Sequence, residues 1–280
     1  MKPKLLSLFG LKFHPFRPDV PIDALYRRPD VDSFCRRVQL TLNDGGFVMI
    51  SGEPGTGKSV ATRLLADQLR TMRDVVVGCI EHPQSRVSDF YRELGDLFGL
   101  PLQPHNRWGG FKALRESWSQ HIGSTLNRPV LIIDEAQEML GSVFCELKML
   151  ASKEFDSRSL LCVVFVGDSR LPERFRHPDL MPIGSRIRRR LLLDYASSQE
   201  LSGCLDHLLS AAGNPSLMSS ELKIALAEHA AGNYRVMMNL ADELLAAAAE
   251  KDLSSIDEKL FFEVFAPPVT TKRKPLSKNR

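Results

Sequence analysis

Five short apolar runs recur along the first two thirds of the chain: GFVMIS (46–51), DVVVGCIE (74–81), PVLIIDE (129–135), LLCVVFVGD (160–168) and RRLLLDY (189–195). Three of them have nearly unbroken aliphatic centres, the pattern of strands covered on both faces. Between the runs, apolar residues fall three or four apart, which predicts helices over roughly 58–71, 87–98, 108–126 and 142–153. Such alternation predicts an α/β domain on a five-stranded parallel sheet. After Tyr195 the pattern changes. Leu201, Leu205, Leu208 and Leu209 share one helical face, and Ser219 or Ser220 can cap a helix carrying Leu222, Leu226 and Ala230. A last helix from about Asn233 aligns Val236, Leu240, Leu244 and Ala248. The expected organisation is a segment 1–40 packed on the core, an α/β domain 41–195, a small helical lid domain 196–265 and a disordered basic tail 266–280. No internal repeat interrupts this order.

Composition narrows the classes. Hydrophobic residues make up 43% of the 280 and charged residues 25%, as in an ordinary globular protein. The net charge of +3 is uneven, because the last fourteen residues hold Lys272, Arg273, Lys274, Lys278 and Arg280 and no acid. The other 266 hold 32 basic against 34 acidic side chains, so overall charge gives no argument that the body binds nucleic acid. The five cysteines are widely spaced without a CxxC pair, and they read as buried thiols of a reducing cytosol. The seven histidines show no HExxH or HxxxH spacing, so no structural metal is expected. No apolar run approaches the ~20 residues of a membrane helix. The start, MKPKLLSLFGLKFHPF, has a short, interrupted apolar segment and no cleavage site, so the cytoplasm is the expected location.

Chemistry enters with GEPGTGKS, residues 52–59, which satisfies GxxxxGK[ST] between a strand and a helix. Gly52, Gly55 and Gly57 permit a wide loop whose backbone N–H groups converge on an anion, and the following helix adds its partial positive end. The binding stretch runs through Gly52, Pro54, Gly55, Thr56, Gly57, Lys58, Ser59 and Val60, with Lys58 reaching β- and γ-phosphates and Ser59 ligating Mg²⁺. PVLIIDEAQ then sets Asp134 at the exposed end of a strand, where it can orient Mg²⁺. Glu135 beside it suits a general base for the attacking water. Two carboxylates after this strand favour ATP hydrolysis over a GTP switch. Asp168, ending LLCVVFVGD, either positions that water or forms an Asx turn into the next loop.

The motifs GEPGTGKS, LIIDEAQ, VFVGD, SRIRRR and GNYR occur in the order of the AAA+ ATPases, which this chain resembles over nearly its whole body. FGLKFHPF and ALYRRPDVDSF look like the ExeA/GspA branch, whose ATPase core is shared with the TniB, TnsC and MuB-like transposition helpers. The resemblance implies that an arginine of SRIRRR reaches the γ-phosphate bound by a neighbouring subunit. Arg186 is favoured and Arg189 is the runner-up; Arg188 and Arg190 are read as solvated or paired with acids. It also implies a homo-oligomer, ring or filament, and a nucleotide-sensing role for Arg235 of GNYR. His14, Pro15, Phe16 and Tyr26 can flank the adenine, although core packing is the expectation for the aromatics.

Three functions fit this resemblance. The first is a helper of transposition that assembles with ATP on double-stranded DNA and recruits a transposase, with a target-selector protein as a further partner. The second is an ExeA-type secretion-pathway ATPase, which the first outranks because no membrane span follows the ATPase region. The third is a nucleotide-gated scaffold with little turnover, against which Glu135 speaks. Arg86, Arg107, Lys112, Lys148 and Lys153 are candidate contacts to the DNA backbone, each equally readable as an ordinary surface cation.

Overall fold

The computed structural model describes residues 2–103 and 105–265; the basic tail expected at 266–280 lies outside them. In chain order the strands are β1 (Gly46–Gly52), β2 (Val77–Ile80), β3 (Val130–Ile133), β4 (Ser152–Lys153), β5 (Arg158–Ser159), β6 (Cys162–Gly167) and β7 (Ile187–Leu193). Five of them form one sheet in the order β2-β3-β6-β1-β7, every neighbouring pair parallel. β4 and β5 form a separate antiparallel pair. From β1 the chain goes out to the β2 edge, returns through β3 and β6, and crosses to the opposite edge at β7. The sense of winding thus reverses at β1, and the crevice beyond its C-terminal end is where open α/β sheets bind ligands.

The sequence explains which strands are central. β3 and β6 are buried at every position, as their continuous apolar runs require when helices cover both faces. β7 lies at an edge, and Arg188, Arg189 and Arg190 all face solvent. Its register shifts by one: Phe47 faces Ile187 but Val48 faces Arg189, leaving Arg188 as a bulge. One apolar layer centres on Phe165, whose ring lies 5.2–5.7 Å from those of Phe47, Phe144 and Phe175.

Helices Lys58–Thr71 and Val87–Phe98 occupy the expected residues, and Arg107–Thr125 lies within one residue of its expected span. The helix expected over 142–153 runs Gly141–Ala151, because Ser152 and Lys153 leave it to pair with Ser159 and Arg158. The strand expected over 74–81 shortens to Val77–Ile80, with Asp74 in a left-handed turn (φ 62°) before it.

The chain divides into two compact units. One comprises Pro21–Ser197 together with Gly232–Arg235. It includes helix Pro29–Thr41, which buries Val31, Phe34 and Val38. The other gathers the described residues up to Val20, Ser198–Ala231 and the described residues from Val236. The segment 1–40 expected on the α/β core is therefore split at Val20. Phe9, Leu11, Phe16 and Val20 are buried within the helical unit. There the Lys12 N–H donates to the Ala212 carbonyl (2.8 Å), the Asn214 amide donates to the Phe9 carbonyl (2.8 Å), and His14 Nε2 lies 3.0 Å from Asp242. The unit contains helices Ser198–Ala212 and Ser220–His229, Glu258–Phe265 and most of Tyr234–Glu250. Ser219 caps the second of these, its hydroxyl accepting the Leu222 N–H (3.1 Å). No helix among the described residues is long and apolar enough to cross a membrane.

Candidate nucleotide-binding site

β1 delivers Gly52 to the C-terminal edge of the sheet, where a loop opens before helix Lys58–Thr71. A Cβ on Gly52 would run into the Leu193 carbonyl and the Thr56 hydroxyl. Gly55 (φ 87°) and Gly57 (φ 102°) hold backbone angles that L side chains rarely adopt. Thr56 is fully buried and donates to the Glu53 carbonyl (2.8 Å), so the loop is braced from within. The first helical bond runs from the Ala61 N–H to the Gly57 carbonyl, leaving the N–H groups of Lys58, Ser59 and Val60 at the open helix end. The Lys58 ammonium donates to the carbonyls of Gly52 (2.8 Å) and Glu53 (3.0 Å). Burial lowers the Lys58 pKa; Glu135, Asp168 and Asp134 oppose that shift, while Arg235 adds to it. Three carboxylates and a guanidinium therefore act on one ammonium.

The fully buried β3 carries Asp134 and Glu135 to the same edge. Burial raises the Asp134 pKa, partly offset by the Glu135 N–H that donates to its Oδ1 (2.9 Å). Glu135 is exposed, with φ 48°. Gln137, to which the sequence reading gave no role, proves central. It is 6% exposed; its amide donates to the Glu135 carboxylate, and its Oε1 accepts the Asp168 N–H (3.2 Å). Gly167 makes room for it, since a Cβ there would strike Oε1. Gln137 thus ties the end of β3 to the end of β6. Arg174 fixes this loop by donating to the carbonyls of Gln137 and Met139, with its guanidinium 5.3 Å from the centre of the Phe144 ring.

Asp168 ends β6, the strand between β3 and β1. Its Oδ1 accepts the Arg170 N–H (2.9 Å), which is the Asx turn, and its Oδ2 pairs with the Arg170 guanidinium (2.7 Å). Burial pushes its pKa up, but the bonds and charge of Arg170, aided by Lys58, prevail and hold it below the usual carboxylate range. The same guanidinium reaches Glu138 at 2.7 Å. The turn and the electrostatic link to Lys58 therefore coexist.

GNYR closes the loop from its far side. The Asn233 amide donates to the Pro54 carbonyl and the Tyr234 N–H to the Gly55 carbonyl, each at 3.0 Å. These four residues belong to the α/β unit, and Arg235 is exposed. Asn233 also escaped the sequence reading; its only signal was its place inside a quoted motif.

The arginine cluster lies elsewhere. Ile187 is level with Phe47, five residues before Gly52, so Ile187 starts about 17 Å along the strand from the cradle of its own chain, and Arg186 precedes it. Arg186 donates to the Pro182 carbonyl and pairs with Asp156. Arg188 lies 3.9 Å from Asp44, and Arg190 donates to the Gly184 carbonyl (3.0 Å). Arg189 contacts only a carbonyl oxygen, that of Arg188 at 3.5 Å, among the bonds the described residues show. Of the candidate DNA contacts, Arg107 is committed to the buried Glu146, which also accepts from the Tyr91 hydroxyl (2.9 Å). Arg86 is exposed ahead of helix Val87–Phe98 and Lys148 is half-buried, whereas Lys112 and Lys153 line one common cavity. His14 and Phe16 meet edge to face (6.2 Å) in the helical unit, and Tyr26 belongs to the α/β unit.

Residues 41–175 match the AAA domain family. The chain is 30% identical over 247 residues to the General secretion pathway protein A of Aeromonas hydrophila, covering 86% of this chain and 44% of that protein. It thus spans less than half the length of that curated relative. Among solved structures, the Aeropyrum pernix ORC2 protein superposes with a TM-score of 0.69 at 17% identity, over 91% of this chain and 71% of that one. The CDC6P of Pyrobaculum aerophilum gives 0.69 at 14%, over 89% and 69%. The Thermotoga maritima RuvB Holliday junction branch migration motor gives 0.57 at 17%, over 90% and 72%. At these identities the likeness is one of fold, and the fold is that of a P-loop AAA+ protein.

Proposed function

We propose that the chain is an ATP hydrolase of the ExeA/GspA type. The observation that supports this best is a glycine loop opening on an exposed helix N-terminus, with the Lys58 ammonium held in it and the Glu135 carboxylate tied through Gln137 to the end of β6. The glycine loop and the N–H groups of Lys58, Ser59 and Val60 cradle the phosphates, and Lys58 leaves its two carbonyls for phosphate oxygens. Ser59 and the half-buried Asp134 fit the needs of Mg²⁺, a hard oxygen donor and a carboxylate; when bound, that ion neutralises phosphate charge. Glu135 takes the proton of the attacking water, and Gln137 fixes its carboxylate relative to Asp168. Arg235 senses the nucleotide from the GNYR corner. The test uses two variants: Lys58→Ala should lose ATP binding, and Glu135→Gln should keep it while turnover falls about 10²–10⁴-fold. Hydrolysis at the parent rate by Glu135→Gln would refute the base assignment.

Completion of the site by Arg186, with Arg189 as second choice, comes from a neighbouring subunit in a ring or helical filament of identical chains, working from the cytoplasmic ATP pool. For the client, the identity to General secretion pathway protein A favours a role in a secretion pathway. The reading as a transposition helper on double-stranded DNA, with a transposase and a target selector as partners, draws on Lys112 and Lys153 sharing a cavity. Salt-sensitive, ATP-dependent retention on duplex DNA decides between them.

A further inference from the structure

Helix Arg107–Thr125 opens on an aromatic pair of which Phe111 packs against the core while Trp108 stays exposed. Trp108 stacks on Phe111 with centroids 5.7 Å apart and planes 13° from parallel, yet Trp108 is 73% exposed, so its outer face is open. The other tryptophan, Trp118, is 2% exposed. The pair lines a cavity of about 320 Å³ together with Lys112, Arg115, Lys153 and Glu116, whose carboxylate lies 3.8 Å from the Lys112 ammonium. The Arg115 guanidinium sits 5.0 Å from the centre of the Phe111 ring and donates to the carbonyls of Met149 (2.6 Å) and Ser152. That clamp fixes the β4–β5 hairpin, and therefore Lys153, beside the helix. Two residues past Lys153, Phe155 stands fully exposed in the hairpin turn, where Glu154, Phe155 and Asp156 all have positive φ.

A large aromatic held with one face bare, beside an excess of cations, suits a planar ring that carries negative charge. We propose that this surface is a platform for single-stranded nucleic acid, with an unpaired base on Trp108 and its phosphates against Lys112 and Lys153. Duplex bases cover one another's faces and cannot lie on the indole, so the ligand is a single strand. An acidic peptide would use the cations and leave the ring idle. Among the described residues that line this open surface, a free nucleotide would find no buried polar group to grip it; a strand gains from repetition along its length, with Phe155 as a second aromatic. The inference rests on neither client reading and not on ATP turnover.

Tryptophan fluorescence of the full chain at low salt tests it, since Trp108 is the exposed reporter. Titration with an oligothymidylate should quench emission and bind at least about tenfold tighter than an abasic strand or a duplex of equal length. Trp108→Ala should weaken oligothymidylate binding, followed by anisotropy of labelled strand, by about tenfold or more, and Trp108→Phe should keep most of it. Lys153→Ala should reduce the salt slope by about 0.7. ATPase activity without oligonucleotide should be unchanged in both Trp108 variants. Equal affinity for the abasic strand or the duplex would overturn the proposal, as would failure to bind the oligothymidylate. So would a Trp108→Ala protein that binds it normally but changes its oligomeric state, which would make the patch a contact between copies.

Discussion

Gly55 shows how much one missing side chain decides. Its φ of 87° disfavours any Cβ, and the Asn233 side chain occupies the place a Cβ would take. Gly55→Ala should therefore cost about 1–3 kcal/mol of stability through backbone strain. It should also weaken ATP binding, because Asn233 must release Pro54. Adding Asn233→Gly should relieve the clash but not the strain, so the double variant should fall short of the sum of the single effects in thermal melts and nucleotide titrations. Additive losses would mean that the two residues do not touch in solution. At this scale the sequence showed the charged groups well, since Lys58, Asp134 and Glu135 sit in stretches whose residue types already state a chemistry. The amides did not show. Gln137 and Asn233 matter for what they face, and that depends on strand order and on where the GNYR corner folds back.

Between elements, the ends of β3 and β6 are joined by short polar links that no periodicity reveals. Arg170 is one, bridging Asp168 and Glu138. Because the folded Asp168 pKa is depressed, its pairing adds stability above the unfolded value of about 3.9 and loses it as pH falls through the lower folded value. Arg170→Ala should accordingly melt below the parent at neutral pH, with the gap closing as the buffer is taken below the ordinary carboxylate range. A constant gap across that range would show that Arg170 acts through packing instead. Helices 58–71 and 87–98 were legible in full because each carries one apolar stripe, Ala61, Leu64, Leu65 and Leu69 in the first and Phe90, Tyr91 and Leu94 in the second. The hairpin at 152–159 was not, since two-residue strands have no pattern to read. β7 was shifted in the reading because its arginines, polar on an edge, hid its first residues.

At the scale of the molecule, the cradle follows the C-terminal end of β1 while Arg186 precedes the N-terminal end of β7, so the proposed site draws its cradle and its guanidinium from two copies. Specific ATPase activity should then rise with protein concentration. Arg186→Ala and Lys58→Ala proteins, each inactive, should recover part of the activity on mixing, since one supplies a cradle and the other a guanidinium. Undiminished turnover by dilute Arg186→Ala would remove the assembly from the proposal. The change of periodicity at Tyr195 lies close to Ser197, where the chain passes from one compact unit to the other. The assignment of residues up to Val20 to the helical unit was not legible, because Phe9, Leu11 and Phe16 show a need for cover without saying whose. The outer flank of β7 has one more effect. A second sheet drawing alongside would bring guanidiniums against guanidiniums, and the bulge at Arg188 would throw its hydrogen-bonding row out of step. Copies crowded together can thus keep their sheets from fusing into a fibre.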